Sequence, residues 1–213
     1  MTRIEELLYV VPAALIAVVG HEFAHGWVSW KLGDPTPKRD GRLSLNPLVH
    51  LDLFGTLCLI FFHFGWAKPV KINMYYYKDK RKGVLLTALA GPVMNLILAF
   101  AACLTVGGVL RVSGVYLSRY LYIFVRWLEY FAVLNTGLAV FNLIPVPPLD
   151  GSKVFGMLLH NDPEAFARRG GSIGYLIIVL LAVTGILSVP VNKAVQAVLW
   201  VMTRAAWFIF GLG

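Results

Sequence analysis

Two histidines and a glutamate near the N-terminus have the spacing of a catalytic metal site. The sequence HEFAH (residues 21–25) closes an apolar run that starts at Leu7. On a helix, residues four apart lie on the same face, so the imidazoles of His21 and His25 can bind one ion. Neutral imidazole nitrogen suits tetrahedral zinc. The spacing therefore predicts zinc ligands at His21 and His25, with Glu22 on the adjoining face as the base that acts on a water molecule.

A second chemically competent side chain, Asp150, lies in a segment that cannot be regular helix. Residues 142–151 read NLIPVPPLDG, and the three prolines remove backbone donors and favour extended backbone. Asp150 can supply the third ligand of a catalytic zinc ion, which leaves the fourth position for water. Asn142 offers an amide as a substrate-backbone partner or oxyanion donor. A helix-initiating cap is the alternative for Asp150, and the histidine pair favours the ligand.

Two further side chains are candidates for contact with a substrate. Asn95 ends the sequence GPVMN (residues 91–95), one turn beyond a proline that kinks a helix. A close-packed glycine and a structural kink explain the same sequence equally well. His50 is a candidate for positioning a substrate, although a lone histidine is more often a hydrogen-bonded structural residue.

The composition is that of an integral membrane protein. Of 213 residues, 58% are hydrophobic and 14% are charged, and the mean hydropathy is +0.72. A soluble domain of this size cannot bury so much apolar surface in one core. The net charge of +8 is explained by Lys and Arg in cytoplasmic loops and requires no nucleic-acid partner. Cys58 and Cys103 lie in apolar stretches, which favours buried thiols over a disulfide.

The histidine motif is expected to lie within the bilayer. The stretch from Leu7 to His21 spans roughly 21 Å as a helix, against a hydrocarbon thickness of about 30 Å. Ionisable groups at that depth are costly and are functional candidates by default. A chance occurrence of the motif on a buried helix face is disfavoured, because it would leave Glu22 beside two histidines in apolar surroundings without a purpose.

The apolar runs predict an all-α polytopic membrane protein with about five spanning helices. Residues 43–64 are expected to re-enter the membrane or to lie along its surface. Their cleanest apolar part, residues 53–62, is too short to span, and strongly basic loops flank the segment on both sides. The expected spans are residues 7–30, 84–109, 117–144, 173–189 and 191–210, with a turn at Pro190 between the last two.

A short membrane-surface strand or hairpin is also expected, since residues 70–75 alternate crudely in polarity. Its exposed edge would let an unwound substrate segment add as a neighbouring strand. Charge places the loops 31–42, 66–82 and 152–169 on the cytoplasmic side. This orientation leaves the N-terminus outside and the catalytic motif nearer the cytoplasm.

Taken together, the motifs resemble the site-2 protease family of intramembrane zinc metalloproteases. HEFAH, GPVMN and NLIPVPPLDG occur in the family's order and cover roughly residues 5–155. The resemblance implies one Zn²⁺ per chain and a role in regulated intramembrane proteolysis. It assigns zinc ligation to His21, His25 and Asp150, the general base to Glu22, and substrate or oxyanion binding to Asn142.

The short loops and the sequence NPLVHLD (residues 46–52) resemble the compact bacterial or archaeal branch of that family, which has no inserted PDZ or CBS domain. The resemblance implies a single transmembrane protease domain over residues 1–213 in a prokaryotic cell membrane. Within it, we expect a catalytic core at about residues 5–155 and a C-terminal helical pair at about residues 171–211.

We therefore expect a zinc-dependent endopeptidase that cuts peptide bonds in or near transmembrane segments. Its partners would be the lipid bilayer and a transmembrane protein or peptide substrate, with no nucleic acid. The alternative is a zinc-binding membrane protein without chemistry, such as a metal sensor or an ion-pathway subunit. Glu22 favours the protease, because a passive site gains little from an unliganded acid beside the metal. A second alternative is a different membrane zincin, which would usually take a glutamate as third ligand. No spanning helix after Val84 offers a glutamate deep in the membrane, since Glu129 is expected near a helix start.

Overall fold

A computed structural model describes residues 3–52, 55, 67–114, 116–159, 174, 177–178, 180–181 and 184–212. The chain falls into two compact units. The first unit comprises Met1–Ala17, Asn95–Asn142 and Leu176–Gly213, and the second comprises Val18–Met94 and Leu143–Tyr175. The residues predicted to bind zinc all belong to the second unit.

Helices dominate the described chain. They are α1 (Arg3–Lys31), α2 (Thr36–Arg39), α3 (Lys80–Ser113), α4 (Arg119–Asn142), α5 (Asp150–Leu159) and α6 (Ser188–Phe210). By length and composition, α1, α3 and α4 can each cross a membrane. Even α4, with 24 residues, rises roughly 36 Å, which exceeds a hydrocarbon core of about 30 Å. The chain is therefore a helical membrane protein, as its composition predicts.

Small side chains form the core of the first unit. Its buried cluster consists of Ala13, Ala102, Cys103, Leu128, Phe131, Ala132 and Ala206. Alanine and glycine at such contacts let helix backbones approach closely, which is how helices associate in lipid. A β carbon at Gly107, for example, would lie 2.9 Å from Cδ2 of Phe210. Cys103 is a buried free thiol, as expected, and Cys58 lies outside the described residues.

The predicted boundary between the last two helices differs from the one observed. Pro92 lies within α3, as predicted, whereas α6 begins at Ser188, ahead of Pro190, where a turn was expected. Pro190 is tolerated because N–H groups in the first turn of a helix have no intrahelical partner to lose. The chain turns earlier, at Gly185, where φ is +67°. The predicted span at 173–189 lies largely outside the described residues.

The proline-rich segment separates two helices along the chain, as predicted. α4 ends at Asn142, and the turns of residues 143–149 lead into α5, which starts at Asp150. The N–H of Val146 donates to the carbonyl of Ile144, and that of Leu149 donates to the carbonyl of Val146. These short-range bonds replace the helical pattern that the prolines cannot continue.

The strand predicted at residues 70–75 is not observed. Residues 70–73 form neither helix nor strand, and Met74–Tyr76 form a turn of 3-10 helix. The side chain of Asn73 accepts a hydrogen bond from the N–H of Tyr75 at 3.1 Å, and this local cap favours the helical turn over an extended ladder. Among the described residues, the nearest β pairing is one isolated antiparallel bridge, between Leu51 and Ala67.

The predicted re-entrant segment is described only at its start. Asn46 caps a 3-10 turn at Pro47–Val49 by accepting from the N–H of Leu48 at 3.0 Å. Beyond Asp52, residues 53–66 lie outside the described chain except for Gly55, whose N–H donates to the Asp52 carboxylate. Whether the segment re-enters therefore stays a prediction.

Candidate metal centre

Three side-chain atoms converge in the second unit. Nε2 of His21 lies 3.2 Å, and Nε2 of His25 lies 2.9 Å, from the same carboxylate oxygen, Oδ2 of Asp150. The two Nε2 atoms are 3.0 Å apart. All three residues are buried. The fold thus brings the two histidines of α1 together with the acid that begins α5, which is the constellation that the sequence predicts.

This donor set suits a small divalent cation. Lone pairs on two imidazole nitrogens and a carboxylate oxygen repel one another at separations of 2.9–3.2 Å unless hydrogen bonds or a metal ion join them. A tetrahedral zinc ion with bonds of about 2.0–2.1 Å places neighbouring ligand atoms roughly 3.3 Å apart. The observed separations are close to that value, and nitrogen and oxygen are donors that zinc accepts. The residues present therefore fit zinc.

A backbone carbonyl orients His25. Its Nδ1–H donates to the carbonyl oxygen of Thr87, on α3, at 2.7 Å. A hydrogen on Nδ1 leaves the Nε2 lone pair of the neutral ring for a metal ion. The rings of His21 and His25 meet nearly edge to face, with their centroids 4.6 Å apart and their planes at 80°. The tautomer of His25 is thus the one that metal binding requires.

Gly91 gives the imidazoles the room they need. A β carbon at Gly91 would lie 2.6 Å from Nε2 of His21 and closer still to Nε2 of His25. These are the atoms that point toward Asp150, so any larger residue at Gly91 would displace the donor set. Gly91 follows Thr87 by four residues on α3, and both therefore face α1. The close-packed glycine considered for GPVMN is confirmed, and its neighbours are the two histidines.

Lys153, on the same helix, orients the carboxylate of Asp150. Nζ of Lys153 lies 2.9 Å from Oδ1 of Asp150, which leaves Oδ2 to face the histidines. Gly151 permits the tight turn before α5, since a β carbon there would lie 2.6 Å from the carbonyl oxygen of Ile144 and nearer still to that of Leu143. Asp150 is thus the first residue of α5 and also meets the histidines, and its role as a zinc ligand stays a prediction.

The carboxylate of Glu22 is hydrogen-bonded to the backbone of Val70, shortly after residues 53–66 in the sequence. Its Oε2 accepts a hydrogen bond from the N–H of Val70 at 3.0 Å. Glu22 is half-buried, whereas Val70 is buried. Because Glu22 follows His21 directly on α1, its side chain projects from an adjoining face of the helix. A carboxylate in this place can exchange protons with a water molecule or substrate beside the histidines.

Comparison with known proteins gives the family. Residues 103–185 match Peptidase family M50. "Putative zinc metalloprotease YwhC" of Bacillus subtilis is 37% identical over 201 residues, which cover 92% of this chain and 86% of that protein. The chain belongs to peptidase family M50, the site-2 proteases. Rip2 of Mycolicibacterium smegmatis, named in the same way, is 26% identical over 183 residues, covering 83% of this chain and 67% of Rip2. No solved structure matches the chain.

Membership of the M50 family gives the reaction class and the cofactor of the protein. The chain is a zinc-dependent intramembrane protease, and zinc is its cofactor. Its substrates are therefore membrane proteins in a bilayer. The expected function, the expected cofactor and the recognised family are thereby confirmed.

The other residues predicted to contact substrate of this M50 protease have structural partners. In the first unit, Nδ2 of Asn95 donates to the carbonyl of Ala17 at 3.0 Å and to Oδ1 of Asn135 at 2.8 Å. Nδ2 of Asn142 donates to the carbonyl of Leu138, one turn earlier on α4, at 3.0 Å. The role of Asn95 and Asn142 in binding substrate stays a prediction.

His50 is fully buried in the second unit. Its Nε2 lies 2.7 Å from the carbonyl oxygen of Ser44, and its own carbonyl accepts the N–H of Lys68 at 2.9 Å. These bonds tie the loop after α2 to the residues that approach Glu22. The bond at Nε2 fits a structural histidine, whereas Nδ1 of the same ring has no hydrogen-bond partner among the described residues. The role of His50 toward a substrate stays a prediction.

Sequence reasoning missed the contacts of Thr87, Gly91 and Lys153 with the candidate ligands. Gly91 carried a signal, since it opens GPVMN, although nothing in that motif says which side chains press against it. Lys153 follows Asp150 at the i,i+3 spacing of a helical ion pair, a signal that the sequence does offer. Thr87 acts through its backbone carbonyl, which any residue possesses, so its contact could not be read from the sequence.

Proposed function

We propose that this M50 protease cuts peptide bonds in or near transmembrane segments, with His21, His25 and Asp150 holding one zinc ion and Glu22 acting as general base. The observation that carries the proposal is the convergence of Nε2 of His21, Nε2 of His25 and Oδ2 of Asp150, which lie no more than 3.2 Å apart. Three protein ligands leave a fourth position open, as a catalytic zinc site requires.

Proton transfer falls to Glu22 in this mechanism. When bound, zinc supplies a positive charge that favours ionisation of water and polarises the scissile carbonyl. Glu22 removes a proton from the attacking water and delivers it to the nitrogen of the leaving amine. The hydrogen bond from the N–H of Val70 fixes the carboxylate for both transfers. Asn142 is proposed to bind the substrate backbone or the developing oxyanion, with lesser contributions from Asn95 and His50.

We further propose a single transmembrane protease domain over residues 1–213, with a catalytic core at about residues 5–155. The finer topology has about five spanning helices, including α6 and the segment at 173–189, in a prokaryotic cell membrane. The active site lies nearer the cytoplasmic side. The excess of Lys and Arg at residues 31–42 and 66–82 supports this orientation, because basic loops stay in the cytoplasm.

Glu22 distinguishes this function from a zinc site without chemistry. A metal sensor or an ion-pathway subunit needs the two histidines and Asp150, and it gains nothing from a carboxylate that binds no metal. In the described structure, Glu22 contacts a backbone N–H and belongs to none of the groups of converging ligands. An acid that is held in place beside the donors and kept out of the donor set is suited to move protons.

The experiment uses the full chain purified in detergent, with bound zinc and cleavage of single-span test substrates measured on the same preparation. Glu22→Gln is expected to keep zinc and to lose cleavage by at least about 100-fold, since general-base catalysis contributes that much. Asp150→Ala is expected to weaken both zinc binding and cleavage. Glu129→Gln is the matched control, because Glu129 is an exposed carboxylate paired with Arg126 at 2.7 Å. Full activity in Glu22→Gln would overturn the proposed mechanism.

A further inference from the structure

A chain of buried hydroxyl groups runs beside the candidate ligand His25. The hydroxyl oxygen of Tyr77 lies 3.0 Å from Oγ1 of Thr87 and 2.7 Å from Oγ of Ser29. Ser29 Oγ in turn donates to Oδ2 of Asp34 at 2.9 Å. We call Asp34, Ser29, Tyr77 and Thr87 the hydroxyl chain. Its members come from the end of α1, the loop after it, the turn before α3, and α3 itself.

The carboxylate fixes the direction of every bond in the hydroxyl chain. Ionised Asp34 only accepts hydrogen bonds, so the single hydroxyl hydrogen of Ser29 points to Asp34. Ser29 can then only accept from Tyr77, and Tyr77 can only accept from Thr87. Backbone N–H groups of Asn73 and Thr36 also donate to Asp34, at 2.7 and 2.9 Å. One acid thus orients three hydroxyl groups in sequence, with Thr87 as the last donor.

Burial makes this arrangement rigid. Ser29 and Asp34 are 0% exposed, Thr87 is 2% exposed and Tyr77 is 5% exposed, so water offers no alternative partners. Burial also raises the pKa of the Tyr77 hydroxyl, which keeps this phenol protonated as a donor to Ser29. The ring of Tyr77 packs against Gly83, where a β carbon would lie 2.9 Å from Cβ of Tyr77. Satisfied networks in an apolar interior hold a single geometry.

The hydroxyl chain and His25 reach α3 at the same residue. Ser29 follows His25 by four residues on α1, so the two side chains share a face. His25 contacts the carbonyl of Thr87 directly, and Ser29 reaches the hydroxyl of Thr87 through Tyr77. Two bridges one turn apart on α1 thus meet at Thr87. If only one bridge were present, α1 and α3 could pivot about it and move Nδ1 of His25 relative to its acceptor.

We infer that the hydroxyl chain positions the imidazole of His25 for zinc, with Tyr77 and Thr87 as positioning residues outside the ligand set. This inference rests on the proposed function, because it takes His25 to be a zinc ligand. Groups that orient a ligating histidine typically change metal affinity by about 10–100-fold when they are removed. The hydroxyl chain acts one bond further away, so we expect a smaller loss.

The test measures the zinc dissociation constant of the full chain in detergent, by competition with a chelator. Tyr77→Phe and Thr87→Val, which remove hydroxyl groups at nearly constant shape, are each expected to weaken zinc binding by about 3–10-fold. Thr87→Ser keeps the hydroxyl and should restore wild-type affinity. Tyr76→Phe is the control, since Tyr76 is 48% exposed and lies outside the hydroxyl chain. If Tyr77→Phe does not fold, the Thr87→Val and Thr87→Ser pair decides.

Wild-type zinc affinity in folded Tyr77→Phe and Thr87→Val would overturn the inference and leave a structural role only, even if their melting temperatures fell. His25→Ala separates this failure from that of the proposed function. If His25→Ala binds zinc as tightly as wild type, the proposed ligand set is wrong. Loss of zinc in His25→Ala, together with unchanged affinity in the hydroxyl variants, would reject the positioning role alone.

Discussion

Gly91 of α3 lies directly against the imidazole of His25, in a space that no β carbon can share. The same backbone position also faces Nε2 of His21, at 2.6 Å from where a β carbon would stand. A helix interior normally favours alanine over glycine by up to about 1 kcal/mol. The glycine is therefore suited to the candidate metal centre and unfavourable for the helix that carries it.

Gly91→Ala is expected to reduce zinc affinity by at least about tenfold, because displaced ligands lose the geometry that zinc requires. Affinity is measured by chelator competition in detergent. Gly137→Ala is the matched control, since Gly137 lies within α4 and has nothing within 4 Å of the added carbon. That control should retain zinc and cleavage. Wild-type zinc affinity in Gly91→Ala would contradict the close approach of Gly91 to the two histidines.

The hydrogen bond between Val70 and Glu22 can be removed from the backbone side. Val70→Pro deletes the donor N–H, and the freed carboxylate should lower kcat on the order of tenfold while zinc stays bound, because catalytic groups depend on orientation. Val70→Ala removes most of the buried side chain and keeps the N–H, so it separates lost packing from the lost hydrogen bond. Equal kcat values in the proline and alanine variants would argue against a role for the bond.

Asp34 makes a pH-dependent contribution to stability. Burial acts to raise the pKa of this carboxyl, but hydrogen bonds from Asn73, Thr36 and Ser29 outweigh burial and bring the pKa below its ordinary value. A lowered folded-state pKa stabilises the fold above the unfolded pKa of about 3.9. That stabilisation is lost as the pH falls through the lower, folded-state pKa.

Asp34→Asn should therefore destabilise the protein by about 1–3 kcal/mol at neutral pH, since its amide donors would face the donors that now bind Asp34. Thermal unfolding in detergent at several pH values measures the effect. The difference from wild type should shrink below about pH 4, because Asp34 takes up a proton there in the unfolded chain while folded Asp34 keeps its charge to a lower pH. Asp40→Asn, at an exposed acid of the neighbouring loop, is the control. A pH-independent difference would show that charge is not the cause.

Removal of the metal should destabilise the fold as well as stop cleavage. A ligand that binds only the folded state at 100 times its dissociation constant stabilises by about 2.7 kcal/mol. A chelator should thus lower the melting temperature of the wild type, and added zinc should restore it. Glu22→Gln should show the same shift, whereas His21→Ala should show little. A chelator that leaves the wild-type melting temperature unchanged would contradict a zinc ion held by buried ligands.

Local signals made the candidate site predictable. The four-residue spacing of His21 and His25 specifies a shared helix face, and the prolines before Asp150 specify a break that ends in a carboxylate. The long apolar runs likewise predicted α1, α3 and α4 within a few residues. What these features share is that neighbours in sequence determine them, through helical periodicity and backbone chemistry.

Features that depend on packing could not be read in the same way. The contact of His25 with Thr87 uses a backbone carbonyl, and the contact of Gly91 with the histidines requires α3 to lie against α1. The strand expected at residues 70–75 failed for a related reason. Six weakly alternating residues carry little information, and one side-chain cap from Asn73 decided the local conformation. The turn predicted at Pro190 was wrong, because the effect of a proline depends on where the helix begins.

The contacts of Thr87 and Gly91 link the relative register of α1 and α3 to the proposed metal ligands. The carbonyl oxygen of Thr87 accepts a hydrogen bond from His25, and one turn later Gly91 leaves room for both imidazoles. A shift of one residue in the register of α3 against α1 would replace Gly91 at this level with a residue that has a side chain. It would also move the carbonyl oxygen of Thr87 away from His25. With His21 and His25 as the proposed ligands, correct assembly of the two helices is a precondition for zinc binding, so a misassembled chain would be produced without proteolytic activity.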